Sequence, residues 1–100
     1  MLFFCHLRLR VESAPRDILT PELVALEIQR IHELLAEGTI RGAWKTNESV
    51  AIIALFNASN EQECRGIIST LPFSQAGIVA IELFLPVEPY TVVYPAPTEG

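Results

Sequence analysis

Glu27 is a carboxylate placed where an apolar residue belongs. Between Pro21 and Glu37, Val24, Ile28, Ile31 and Leu35 recur at helical spacing, and Leu23 and Leu34 widen that stripe on one side. At about 100° per residue, Glu27 falls inside the arc, between Ile31 and Leu34, while Glu22, Gln29, Glu33 and Glu37 lie on or near the polar side. A carboxylate taken out of water either finds a partner or keeps its proton to higher pH, because desolvation penalises the charged form. Such a group can act as a general base or acid near neutral pH. The bland alternative is a structural ion pair or hydrogen bond, with Arg30 and Arg41 as candidate partners. Arg41, just after the Gly38-Thr39 turn, has the chemistry to steer an anion or hold an enolate, or equally to fix the turn.

The other reactive side chains are less telling. His6 and His32 have no carboxylate or cysteine at triad or metal spacing and read as structural. Cys5 and Cys64 form no CxxC or Cys/His pattern; both fall at apolar positions, as buried free thiols do. No phosphate-binding glycine loop, nucleophile elbow or EF-hand is present, which argues against nucleotide-dependent chemistry and serine hydrolysis. No metal or cofactor is implied.

The elements that must position Glu27 follow from pattern. Leu2 to Val11 alternates, with Phe3, Cys5, Leu7, Leu9 and Val11 on one side, and reads as a strand with one core face. Thr20-Pro21 opens the helix as N-cap and first helical residue, and Gly38 stops it after Glu37. Ile40 to Thr46 and Ser49 to Phe56 read as two strands joined by a turn at Asn47-Glu48, the second apolar enough to be central. Ser59 with Gln62 reads as a capping box opening a second helix that ends near Leu71-Pro72. Ile78 to Val87 is the fourth strand. The order β-α-β-β-α-β predicts a ferredoxin-like α+β domain over residues 1–88. Residues 89–100, with Pro89, Tyr90, Tyr94, Pro95 and Pro97, read as an extended Pro-rich C-terminal arm or a tail without fixed structure.

Composition bounds the partners. Half of the 100 residues are hydrophobic and the mean hydropathy is +0.34, which is rich for a small domain with much of its surface in water. Two helices cover only one face of a four-stranded sheet, so apolar residues on the other predict pairing of copies into a homo-oligomer. A net charge of −5 lacks the basic footprint of a nucleic-acid binder. The opening MLFFCHLRLR lacks the long apolar run of a signal peptide, and no run approaches the ~20 residues of a membrane span, so a cytoplasmic protein without membrane attachment is expected.

The run LLAEGTIRGAWK, Leu34 to Lys45, resembles the muconolactone Δ-isomerase family: a helix ending in Glu-Gly-Thr, then Arg, then Trp. The opening Met-Leu-Phe and the Leu71-Pro72 pair are also similar, and the likeness runs from residue 1 to about 89. Counted back from Glu37-Gly38-Thr39, Glu27 falls without a gap on a glutamate of the family's first helix. The resemblance implies a dimeric α/β barrel, classically assembled into decamers, and cofactor-free movement of a double bond in a small lactone. It also implies that Ser74 and Gln75 lie where the cleft closes, and that Trp44 occupies a family position suited to core, interface or substrate stacking. The chain departs from the family where Val24 replaces a lysine and where Val50 and Ile52 replace a tyrosine and an asparagine. Those changes point to a greasier pocket and a more apolar substrate.

The leading expectation is therefore a cofactor-free isomerase acting on a small-molecule carbonyl compound, with Glu27 as base and Arg41, Trp44, Ser74 and Gln75 as substrate-binding candidates. The alternatives are a cofactor-free oxygenase or cyclase working on a polyketide-like intermediate, and an oligomeric accessory protein that has lost the chemistry.

Overall fold

The Thr20 side chain accepts the backbone N–H of Leu23 at 3.1 Å and Gly38 ends the same helix at φ 83°, so the first helix begins and stops where its capping residues dictate. The structure, a computed structural model, describes residues 1–10, 17–46 and 51–89. Along the chain run β1 (Leu2–Leu9), α1 (Pro21–Glu37), β2 (Ile40–Lys45), β3 (Ala51–Asn57), α2 (Glu61–Ser69), α3 (Pro72–Gln75) and β4 (Val79–Val87). The strands form one antiparallel sheet in the order β2-β3-β1-β4. Val11, the Asn47-Glu48 turn, Ser49, Val50 and the arm from Tyr90 onward lie outside the described residues.

Alternation decides what each strand buries. Phe3, Cys5 and Leu7 of β1 and Ala54 and Phe56 of β3 point to one face, where Leu34 of α1, Cys64 and Ile68 of α2, and Leu71 close over them in a single core. Both cysteines are buried and free, as their apolar positions foretold. Burial, with Cys64 alongside, pushes the Cys5 thiol up to about 12. The opposite sheet face carries Phe4, Leu55, Trp44, Leu83 and Leu85, and no described element covers it.

Three local expectations need correction. The second helix is capped by Asn60, not Ser59: the Asn60 side chain accepts the Glu63 N–H at 2.8 Å, and the Glu63 carboxylate accepts the Ser59 N–H. The cap therefore sits one residue later, and Glu63, in place of Gln62, reaches back to the N–H of the residue before that cap. Leu71-Pro72 does not simply close that helix, because Pro72 opens a further short one, α3, at the first helical position. The buried face of α1 is also rotated. Its inward residues Leu23, Glu27, Ile31 and Leu34 centre on Glu27, whereas Ile28 and Leu35, about 80–100° away around the helix, are exposed.

Candidate active site

Glu27 is the one charged or polar residue that is buried among the described residues, at 8% exposure. Its Oε1 accepts the backbone N–H of Phe73 at 2.9 Å. That donor has a structural origin. The first turn of a helix leaves its N–H groups without intrahelical acceptors; Pro72 has none to offer, and Leu71 supplies no side-chain cap. Glu27 thus caps α3 from across the interface between helices. No ion pair reaches it among the described residues. Arg30, one of the two partners weighed from sequence, turns instead to Thr70 Oγ1, at 3.1 and 3.2 Å, and to Glu33 at 3.1 Å. Burial raises the carboxyl's pKa above its ordinary 4.5, and the Phe73 N–H, which favours the ionised form, offsets part of that rise.

The carboxylate lines a cavity of about 390 Å³ between the N-terminal half of α1 and one end of the sheet. Val24 and Ile28 flank Glu27 on the helix; Leu9, Ala51 and Ile52 come from the strands, Phe73 from α3, and Lys45 from the end of β2. That volume falls within the range of small-molecule sites, about 300–1,000 Å³. The arrangement is an apolar chamber with one carboxylate and one ammonium. Val24 and Ile52, two of the positions at which the family resemblance sets an apolar residue against an expected polar one, are both in its wall.

The other sequence candidates are not in that wall. Arg41 is exposed and outside the cavity lining. Trp44, 57% exposed, is on the opposite face of the sheet, its indole folded over Gly42, where an added Cβ would lie 2.6 Å from the ring. Ser74 follows Phe73 in α3 and its Oγ is buried without a hydrogen-bond partner among the described residues. Gln75 lines a separate hollow with Leu23, Leu26 and Arg30. His32 is exposed; His6 is half-buried on the open sheet face, its Nε2 without a partner among the described residues.

Lys45 is the residue that sequence reasoning missed. The reason is a bulge. From buried Ile40, strict alternation would turn Trp44 inward and Lys45 outward, but Ile40 pairs with Phe56 while Gly42 pairs with the adjacent Leu55. Arg41 is therefore an extra residue in β2, and the facing of everything after it is reversed. Ala43 and Lys45 turn to the helix side with Ala54 and Ile52, and Trp44 turns away with Ile53. Among the described residues no group of His, Cys, Asp and Glu is placed to hold a metal ion, and no helix is long and apolar enough to cross a membrane.

Fold and site together define a small α+β protein whose helices clamp one desolvated carboxylate into an apolar, small-molecule-sized cavity. The family model for muconolactone delta-isomerase matches residues 1–90, and the chain belongs to that family. A solved muconolactone isomerase superposes with a TM-score of 0.70 at 23% identity, over 92% of this chain and 95% of that one. The 5-chloro-2-hydroxyhydroquinone dehydrochlorinase of Burkholderia phenoliruptrix, in complex with 2,5-dihydroxybenzoquinone, superposes with a TM-score of 0.67 at 17% identity, over 88% and 94%. At those identities both likenesses speak to the fold. Among curated protein sequences, none matches.

Proposed function

We propose that the protein is a cofactor-free isomerase that shifts a proton, and with it a double bond, in a small unsaturated carbonyl compound such as a lactone. Glu27 is the general base. The observation that carries this reading is the Glu27 carboxylate itself: buried, outside any ion pair among the described residues, raised in pKa, and lining an apolar cavity of about 390 Å³. A carboxylate so placed gains by taking a proton, because protonation removes the desolvation cost of its charge. Membership of the muconolactone delta-isomerase family supports the reaction class. The apolar wall at Val24 and Ile52 supports a substrate less polar than muconolactone. Within this reading two copies pair through the open sheet faces to build the barrel, and Leu83 and Leu85, 40% and 44% exposed in the single chain, are covered there.

The bond from Phe73 to Glu27 favours a second reading, in which the carboxylate is only a cap for α3. One pair of variants separates the two. Glu27→Gln keeps an acceptor for Phe73 N–H but cannot take a proton; Glu27→Ala loses both. With α-angelica lactone as probe, followed by the absorbance of its conjugated isomer, Glu27→Gln is expected to lose about 10²–10⁴-fold in turnover, the span of general base catalysis, with an undiminished melting temperature. Undiminished turnover in Glu27→Gln, with a lower melting temperature in Glu27→Ala alone, would leave Glu27 a purely structural residue.

A further inference from the structure

Removing a proton next to a carbonyl moves charge across the cavity. The Glu27 carboxylate takes the proton from the α carbon, the C–H electron pair becomes the carbon–carbon π bond of the enolate, and the carbonyl π pair moves onto oxygen. One negative charge leaves the carboxylate and one arrives at the substrate oxygen. Returning the proton at the γ carbon restores the carbonyl and the ionised Glu27. The first half relieves the desolvation of Glu27, but it creates an oxyanion in the same apolar chamber, where an unpartnered charge is costly. A donor must face that oxygen, and donors aimed at developing charge contribute much of the rate in such sites.

The described lining offers few. Leu9, Val24, Ile28, Ala51 and Ile52 have no polar side-chain atom, and the Phe73 N–H is already given to Glu27. Lys45 remains. It is exposed and yet lines the cavity, which puts it at the solvent side, while Glu27 lines the same cavity as a buried residue of α1. The two charges both line the cavity and form no ion pair with each other. The register of β2 against β3, with Lys45 opposite Ile52, fixes the side from which the ammonium enters.

We propose that Lys45 is the electrophilic partner of Glu27: its ammonium holds the enolate oxygen that forms when Glu27 removes the proton. This assigns a bipolar site in which the substrate lies between base and ammonium with its carbonyl toward β2 and its acidic C–H toward α1. It also sets the substrate class, a neutral or weakly polar enolisable carbonyl compound that needs no carboxylate of its own. The inference rests on the isomerase reading of the Glu27 cavity.

The experiment compares wild type, Lys45→Met, Lys45→Arg and Glu27→Gln on two butenolides: neutral α-angelica lactone and a counterpart bearing a carboxymethyl group. A parallel arm measures calorimetric binding of tetronate, a stable planar anion resembling a lactone enolate. Lys45→Met is expected to lower kcat at least about tenfold on both substrates, short of the ~10²–10³-fold cost of deleting a fully preorganised donor because Lys45 is exposed. Lys45→Arg recovers part of that loss. Tetronate binding weakens at least about tenfold in Lys45→Met, on the same argument from the exposed donor, and does not weaken in Glu27→Gln, where a like charge has been removed. A loss confined to the carboxymethyl substrate, or to KM, would make Lys45 a carboxylate anchor and overturn the proposal. Unchanged tetronate affinity in Lys45→Met overturns it too, whether or not either butenolide is turned over. Wild-type turnover by Glu27→Gln is the separate outcome that removes the isomerase reading.

Discussion

At the scale of single residues, the proposed role of Glu27 as base ties activity to the same proton on which its contribution to stability depends. Burial raises the folded-state pKa above the ordinary 4.5, and Phe73 N–H only partly offsets the rise. Between 4.5 and that raised value the folded chain holds a proton that the unfolded chain has released. Stability from this group is therefore complete at and below 4.5 and falls as pH rises through the folded value; above it the full cost of the buried charge is present. Glu27→Gln carries no such cost. The melting temperature of the variant minus that of wild type should grow with pH from about 4.5 upward and then level off, since other titrating groups are common to both chains. Activity runs the opposite way: kcat/KM should fall as pH drops through the raised value, giving an acid limb above the ordinary carboxylate position. Parallel melting curves across this range, or a limb at 4.5, would mean that water reaches the carboxylate freely.

At the scale of elements, caps and registers decide where chemistry points. Asn60 holds the start of α2 through Glu63 N–H at 2.8 Å, with Glu63 reaching back to Ser59. Asn60→Ala should cost about 1 kcal/mol, the usual value for a lost N-cap, read as a lower urea midpoint with an unchanged slope. Ser59→Ala should cost far less, since only the Ser59 backbone takes part. The sequence already showed α1 with both its caps, four strands and a second helix, because those depend on periodicity and local capping residues. It showed Glu27 as misplaced for the same reason. It did not show Lys45, because the facing of β2 depends on a bulge at Arg41 that becomes visible only once β3 is paired against it. It did not show α3 either: Pro72 stops one helix and starts another equally well, and the acceptor that completes the new first turn comes from Glu27, 46 residues away in sequence.

At the scale of the whole molecule, the uncovered sheet face sets the last prediction. Phe4 and Leu85 stand opposite each other across β1 and β4, Phe4 and Leu55 across β1 and β3, and Trp44 beside Ile53, so the apolar residues form one continuous surface. A single chain that exposes Trp44 at 57% and Leu85 at 44% leaves much of this surface wet. Leu85→Glu separates a surface that stays wet from one covered by a second copy. In a solitary chain a half-exposed substitution changes stability by no more than about 0.5 kcal/mol. In a two-fold pair the same carboxylate is buried twice without a partner, and an uncompensated buried charge costs about 3–5 kcal/mol. Sedimentation velocity should therefore show Leu85→Glu dissociating to single chains at concentrations where wild type is paired, with its far-ultraviolet circular dichroism retained. Leu26, 54% exposed on α1 beside Arg30 and Gln75, supplies the contrast: Leu26→Glu should leave that pairing intact, because α1 packs on the other face of the sheet. An undiminished mass for Leu85→Glu would place any self-association elsewhere, and the cavity between α1 and the sheet would then have to function within one chain.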